Sequence, residues 1–346
     1  MKVLVFSDVH WSTYSSIIRQ RQNKYSVRLE HLIDSMNWIE DVSKKYNCER
    51  VYCLGDFFDK PTLNDEELTA LQNIKWNDIY HFFIVGNHES SVNELTFNST
   101  QALEGERRKI ISEQNYSEVI GKTQIHFVPY IVERERLDLS CYLNKDENCI
   151  KHIVLSHNDI AGINYGGFIS KSGFTIEDIS ANCDLCLNGH LHNTEFVTKK
   201  ILNVGSLSAH NFTNDSFKYK YGAWIVDTET LECEFIENPH GFRFYKLEIN
   251  NKNDMLMFNI LDINLVLTIK CAESMIKDLT NFLQTSIINN VVSYKIITVR
   301  DVIQSESNNA QIESLSIEHL EKFKEFCLNT IGTSNIVLQE IEAICK

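Results

Sequence analysis

Five short clusters of Asp, His and Asn punctuate the chain in order: Asp8-Val9-His10, Gly55-Asp56, Gly86-Asn87-His88, His157, and Gly189-His190-Leu191-His192. Asp and Asn offer oxygen donors and His offers nitrogen donors. That mixed set suits Mn, Fe or Zn better than an all-oxygen Ca or Mg cage. With one carboxylate as a bridge, the clusters can supply two ions. Taken singly each is a weak signal, because a lone Asp or His in a loop is most often a solvated surface group and G-N-H alone can be a turn. The chemistry therefore depends on the fold bringing the clusters together.

Each cluster lies just past a short apolar run. Val3–Phe6, Val51–Leu54, Phe82–Val85, Ile125–Val128 and Ile153–Leu155 read as buried strands that deliver loops to a sheet edge. A strand holds its end rigidly, and a glycine lets the backbone turn sharply beside a metal. Between the first two runs, Leu29, Leu32, Ile33, Met36, Ile39 and Val42 recur at helical spacing, so a strand–helix–strand unit is expected. Asn64 followed by Glu67 predicts a capping box opening a second helix. Further on, Glu195–Val204, Ala223–Asp227 and Glu232–Ile236 read as strands, the first a hairpin around Lys199-Lys200. Asn238-Pro239 predicts a boundary near residue 240. Beyond it, Leu265–Lys270 and Val291–Val299 read as strands around a helix from Glu273 to Ile287. The polar stretch after Asp301 reads as a linker before an amphipathic helix with Ile317, Leu320, Phe323 and Cys327 on one face. The expected division is residues 1–240, 241–304 and 305–346.

Composition bounds the function. With 43% hydrophobic and 23% charged residues the sequence matches an ordinary globular protein, and no apolar run approaches the ~20 residues needed to cross a bilayer. The four apolar residues Val3–Phe6 are too short for the core of a secretory signal, so a cytosolic location is expected, in a bacterium or a phage-infected host. Ten scattered cysteines fit a reducing compartment. Cys183 and Cys186 have C-x-x-C spacing, but no second pair completes a zinc site, and burial in an apolar segment is the simpler reading. The net charge of −14 argues against a chain that coats nucleic acid through bulk electrostatics.

The ordered set D-x-H, G-D-x-x-D, G-N-H-E, H, G-H-x-H resembles the calcineurin-like metallophosphoesterase superfamily. The resemblance implies an α/β fold: a β-sandwich flanked by helices, followed here by a smaller α/β capping domain and a helical tail. It implies that Asp8, His10, Asp56 and His192 hold one metal and Asp56, Asn87, His157 and His190 a second. The ions would be Mn, with Fe, Zn or Mg as alternatives, and would polarise the phosphate and activate water. His88 would face the leaving oxygen as general acid, held by Asp59 through its other ring nitrogen. The plainer reading of Asp59 is a turn or helix-start carboxylate.

Gly55-Asp56-Phe57-Phe58-Asp59-Lys60-Pro61 is similar to the G-D-x-F-D block of SbcD-type DNA exonuclease subunits and phage recombination endonucleases, whereas protein phosphatases continue with Arg-Gly. The order of elements after Asn203 also resembles those nucleases. Glu89 departs from them: they usually carry Asp after G-N-H, and Glu is typical of protein phosphatases. The resemblance implies a DNA phosphodiesterase that dimerises and docks an SbcC-type coiled-coil ATPase through its tail, where Ile317, Leu320 and Phe323 would lie. That stripe can equally pack on its own domain. Arg19, Arg21, Lys24 and Arg28, and again Arg107, Arg108 and Lys109, could contact phosphates or form a solvated face. The alternatives are a phosphoprotein phosphatase or small-molecule phosphodiesterase on the same core, and a scaffold that keeps the fold without turnover.

Overall fold

The computed structural model of the protein describes residues 1–14, 24–91, 94–165, 168–209, 220–251, 254, 265–286 and 291–298. The chain divides into two compact units, one holding Met1–Tyr245 with two short later segments and the other most of the remaining C-terminal residues.

In chain order the first half contains β1 (Lys2–Phe6), α1 (Val27–Lys45), β2 (Arg50–Cys53), α2 (Asp65–Leu71), β3 (Tyr80–Ile84), β4 (Ser90–Ser91), β5 (Glu94–Asn98), β6 (Arg108–Ile111), β7 (Ser117–Ile120) and β8 (Thr123–Val128). Then come β9 (Lys151–Ser156), β10 (Asn164–Tyr165), β11 (Phe168–Ile169), α3 (Ile176–Asn182), β12 (Leu185–Asn188), β13 (Glu195–Thr198), β14 (Ile201–Asn203), β15 (Gly222–Asp227) and β16 (Cys233–Glu237). β17 (Arg243–Ile249), β18 (Leu265–Cys271), α4 (Ile276–Ser286) and β19 (Val291–Thr298) complete the described elements.

Two six-stranded sheets form the first unit, in the orders β16-β15-β1-β2-β3-β6 and β13-β14-β12-β9-β8-β7. Alternate side chains of each strand point to opposite faces. Val3, Val5, Tyr52, Leu54, Phe82 and Ile84 of the first sheet share one buried cluster with Ile125, Phe127, Ile153, Leu155, Leu185 and Leu187 of the second, which makes the pair a sandwich. The outer face of the first sheet, with Leu4, Phe6, Val51, Cys53 and Phe83, is covered by Leu29, Leu32, Met36 and Ile39 of α1. The outer face of the second, with Val128, Val154, Cys186 and Ile201, meets Ile179 next to Cys183. Both sheets are therefore buried on both sides, and their central strands read as continuous apolar runs. Cys183 and Cys186 are core residues of that last layer, and burial pushes the Cys183 thiol up to about 12.

The helices begin where local chemistry starts them. Ser26 caps α1 by accepting the Leu29 N–H at 3.3 Å. At α2 the capping box forms in full: Asn64 accepts the Glu67 N–H and Glu67 accepts the Asn64 N–H, both at 2.9 Å. β17, β18 and β19 make a three-stranded sheet in that order, and Leu279 and Leu283 of α4 are buried. The Asn238-Pro239 corner is a tied corner, since Asn238 is 2% exposed and its amide donates to Leu207 O and Ser35 Oγ. Among the described residues no helix is long and apolar enough to cross a membrane. Arg19, Arg21 and the expected tail helix lie outside the described residues.

Candidate metal centre

β1, β2 and β3 are parallel neighbours in one sheet, and β9 and β12 in the other. Their C-terminal ends open onto one edge of the sandwich, the place where α/β sheets present loops to ligands. Asp8 and His10 follow β1, Asp56 follows β2, Asn87 and His88 follow β3, His157 follows β9, and His190 and His192 follow β12. The first two loops continue their strands' pairing: Asp8 N–H donates to Gly55 O at 3.1 Å, His10 N–H to Asp56 O at 3.0 Å, and Trp11 N–H to Phe57 O at 2.7 Å. Gly55 is required here. Its φ is +106°, and a Cβ would lie 2.5 Å from Cγ of the His157 ring and closer still to Nδ1.

The backbone carries strain at these positions. Asp8, His10, Asp56 and His190 all have left-handed φ, between 48° and 70°, a region most side chains avoid. Outliers of this kind cost about 1–3 kcal/mol each and persist where the surroundings over-determine them.

Two groups of side chains result. Asp8, His10 and His192 each bring one donor atom to within 4.8 Å of the others, and so do Asp56, His157 and His190. His10 Nε2 and His192 Nε2 face each other at 3.0 Å, with Asp8 Oδ1 at 3.9 Å from the first and 3.6 Å from the second. In the second group Asp56 Oδ2 is 3.2 Å from His157 Nε2. Asn87 Oδ1 stands 3.2 Å from that same nitrogen and 3.0 Å from His190 Nδ1. Asp56 also belongs to a third group with His10 and His88, which links the first two. All seven expected ligands are thus brought to one place.

The donor set fits two divalent cations. Asp8 is 1% exposed, yet among the described residues its Oδ1 has no hydrogen-bond partner, and a buried anionic oxygen in that state calls for a counter-ion. The rings are oriented from behind, as metal-ligating imidazoles usually are. His157 Nδ1 donates to Leu54 O at 2.6 Å, His190 Nε2 lies 3.3 Å from Asp159 Oδ1, and His10 Nδ1 lies 3.1 Å from Asp59 Oδ1. Burial opposes ionisation of Asp56, but His157 and the neighbouring rings hold its carboxyl well below the usual range. His157 moves the other way, up to about 9: burial disfavours its charge, and Asp56 outweighs that.

The calcineurin-like phosphoesterase family model matches residues 1–194, a span that contains every one of these ligands. The chain belongs to the calcineurin-like phosphoesterase family. It is therefore a metal-dependent phosphoesterase built on a dinuclear centre. Among solved structures, the chain is similar to an archaeal phosphodiesterase, with 14% identity, 68% of this chain and 99% of that one covered, and a TM-score of 0.35. It is also similar to a dimetal phosphatase from Danio rerio, at 10% identity, 68% and 98% coverage and a TM-score of 0.39. A nuclease from Pseudomonas putida matches at 12% identity, 67% and 87% coverage and a TM-score of 0.25. No curated protein sequence matches the chain.

Around the phosphoesterase centre the structure gives the Asp59 carboxylate two imidazole neighbours and places Arg28 away from the surface expected of it. Asp59 is nearer His10 than His88: its Oδ1 is 3.1 Å from His10 Nδ1 and 3.7 Å from His88 Nδ1. His88 Nδ1 instead donates to the Asp59 carbonyl at 3.2 Å, and the His88 N–H donates to Asp56 Oδ1 at 3.0 Å. Arg28 is not on an outer surface. It is 2% exposed and its Nη2 donates to His10 O at 3.0 Å, and burial lowers its guanidinium to about 10 against the pull of Asp59. Lys24 is exposed, over the Tyr25 ring at 4.8 Å. The second basic cluster is spent on its neighbours: Arg107 pairs with Asp78, Arg108 stacks on Trp76, and Lys109 sits 3.9 Å over Tyr116.

Two residues of the centre go beyond what the sequence reading supplies. Asp159 stands two positions after His157, and an acid so close to a ligand is a signal that could have found it; its carboxyl is held low by the hydrogen bond with His190. Glu67 reads in the sequence only as half of a capping box. It also accepts from Thr13 N at 2.8 Å and Thr13 Oγ1 at 3.1 Å and pairs with Lys60 at 2.9 Å, tying the loop after His10 to α2.

Proposed function

We propose that this phosphoesterase is a DNA phosphodiesterase, the nuclease subunit of an SbcCD-like repair or recombination complex, working with two Mn ions. The observation that carries the chemistry is the convergence of Asp8, His10 and His192 on one side of Asp56 with Asn87, His157 and His190 on the other. When bound, the ions would supply Lewis-acid activation of the phosphate and of the attacking water. The chain supplies the rest. Asp8, His10, Asp56 and His192 would hold one ion and Asp56, Asn87, His157 and His190 the other. His88 stands at the mouth, its side chain 42% exposed. Its Nδ1 can only donate to the Asp59 carbonyl, so Nε2 is the nitrogen that gives a proton to the leaving oxygen, from the imidazolium form.

Three features support DNA over other phosphoesters. The Gly55-Asp56-Phe57-Phe58-Asp59-Lys60-Pro61 block is similar to that of SbcD-type nucleases. The small sheet β17-β18-β19 with α4 comes after the core in chain order, as the capping domain does in those nucleases. Lys24 offers an exposed cation at the start of α1. On this reading the tail with Ile317, Leu320 and Phe323 docks a coiled-coil ATPase, the subunit acts as a homodimer in the cytosol, and Arg19 and Arg21 join Lys24 on phosphates. The test is end-labelled single- and double-stranded DNA incubated with the protein, Mn and the ATPase. Degradation is expected. Intact DNA together with hydrolysis of a phosphoprotein would establish the phosphatase reading instead. His88→Ala should retain its metals and lose roughly 10²-fold or more in turnover.

A further inference from the structure

Glu89 is the member of the Gly86-Asn87-His88-Glu89 run to which the two-metal chemistry gives no task, and in the sequence it is the residue that departs from the nuclease pattern. Its side chain is wholly enclosed, at 0% exposure, so it faces no substrate. Oε2 accepts the Gly86 N–H at 2.6 Å, and Oε1 accepts the Phe58 N–H at 3.1 Å. Gly86 opens the loop that carries Asn87 and His88. Phe58 sits in the loop that carries Asp56 and Asp59. One carboxylate therefore spans two loops, between residues 31 apart in sequence on one side and three apart on the other. Glu89 is fixed in turn by its carbonyl, which accepts the Ser99 N–H at 3.2 Å. Both amides are buried, so each depends on the acceptor that the Glu89 side chain supplies. Asp, one methylene shorter, cannot reach both amides from the same backbone position.

We propose that Glu89 is a positioning residue, whose carboxylate clamps the Asp56 loop to the Asn87–His88 loop and so fixes the separation of the groups that hold the second metal. The clamp rests on the metal-centre reading above. It also removes Glu89 as a mark of substrate class, because a residue occupied with two loop amides selects neither a monoester nor a diester.

The experiment compares wild type, Glu89→Gln and Glu89→Asp. Gln keeps the length and turns one acceptor into a donor facing an N–H; Asp keeps both acceptors and loses the reach. Mn affinity is measured by calorimetry, melting temperature without metal, amide exchange of the Gly86 and Phe58 segments without metal, and turnover of p-nitrophenyl phosphate and its bis ester at saturating Mn. Both variants are expected to bind Mn roughly 10–100-fold more weakly, as when other groups behind metal ligands are removed. Both should exchange those amides faster, and lose turnover of the two esters by a common factor. Unchanged Mn affinity in variants that melt earlier without metal would make Glu89 an ordinary buried polar group and overturn the clamp. A changed monoester-to-diester ratio would overturn it in favour of substrate selection. Wild type that takes up no Mn would overturn the metal centre itself, a result distinct from the other two.

Discussion

Gly86→Ala is the smallest change that should disable the centre while sparing the core. A Cβ built at Gly86 lies 2.6 Å from Asp56 N and 2.9 Å from Asp56 Cγ, with Oδ1 nearer still. Ordinary contact between carbon atoms begins at about 3.5 Å, so Asp56 or the loop must yield by roughly 0.5–1 Å. Asp56 cannot retreat freely. Its Oδ1 holds the His88 N–H at 3.0 Å, its Oδ2 lies 3.2 Å from His157 Nε2, and its carbonyl holds the His10 N–H at 3.0 Å. Whichever group moves, the carboxylate common to both metal groups is displaced, and a displacement of about 1 Å at a reacting centre costs roughly 10²-fold. Overpacking should lower stability by about 1–3 kcal/mol, which leaves the protein folded. The control is Gly241→Ala, where the new Cβ would meet nothing nearer than Asn238 O at 3.6 Å, an ordinary contact. The assay is turnover of bis-p-nitrophenyl phosphate in saturating Mn, with bound metal counted by mass spectrometry and folding followed by circular dichroism. Gly241→Ala should behave as wild type. If Gly86→Ala also kept near-normal turnover with two metals bound, the placement of Asp56 would not govern the chemistry and the reasoning would fail.

Asp59→Asn separates the two imidazoles within reach of that carboxylate: since Oδ1 is closer to His10 than to His88, weakened metal binding of about 10–100-fold should accompany the loss of turnover. Metal content and affinity equal to those of the His88→Ala variant would instead assign Asp59 to His88. Chelation should lower the melting temperature, because two sites each saturated about 100-fold above Kd contribute roughly 2.7 kcal/mol apiece, on the order of 10 °C together; an unchanged melting curve would argue against metals bound to the folded state. His126, buried beside His152, is lowered to about 4 by burial first and then by that second ring. An unfolded His titrates near 6.5, so the unfolded chain binds the extra proton between the two values. The stability this neutral ring contributes is complete above about 6.5 and is lost as pH falls toward about 4. Replacing His126 with Gln should flatten the acid side of the metal-free stability profile by on the order of 1–3 kcal/mol, read from urea unfolding at a series of pH values.

How far the sequence can be read depends on the reach of each interaction. The central strands are legible because sheets covered on both faces need unbroken apolar runs, and the start of the second helix because Asn64 caps it within three residues. The ligands are legible because each closes a strand. The features that stay hidden depend on contacts between loops far apart in sequence. Arg28 belongs to a run of basic residues that looks like a surface, and only the fold puts it beneath His10. The competition of His10 and His88 for Asp59 turns on a few tenths of an ångström, set by side-chain torsions that no spacing records. Glu89 reads as a clue to substrate because its amide partner at Phe58 sits in another loop.

The acidic balance of the chain also changes meaning once the centre is assembled. Asp8, Asp56, Asp59 and Asp159 stand at one edge of the sandwich, beside imidazoles that must be neutral to bind metal. Two divalent ions cancel the four carboxylates, leaving an edge where local fields, rather than the net −14, decide what binds. A polyanionic substrate is then compatible with an acidic chain only when the metals are in place. On the proposed DNA reading, affinity for DNA should therefore follow metal occupancy more steeply than it follows the number of exposed Lys and Arg, and at fixed metal it should weaken with salt as few contacts to the phosphate backbone dictate.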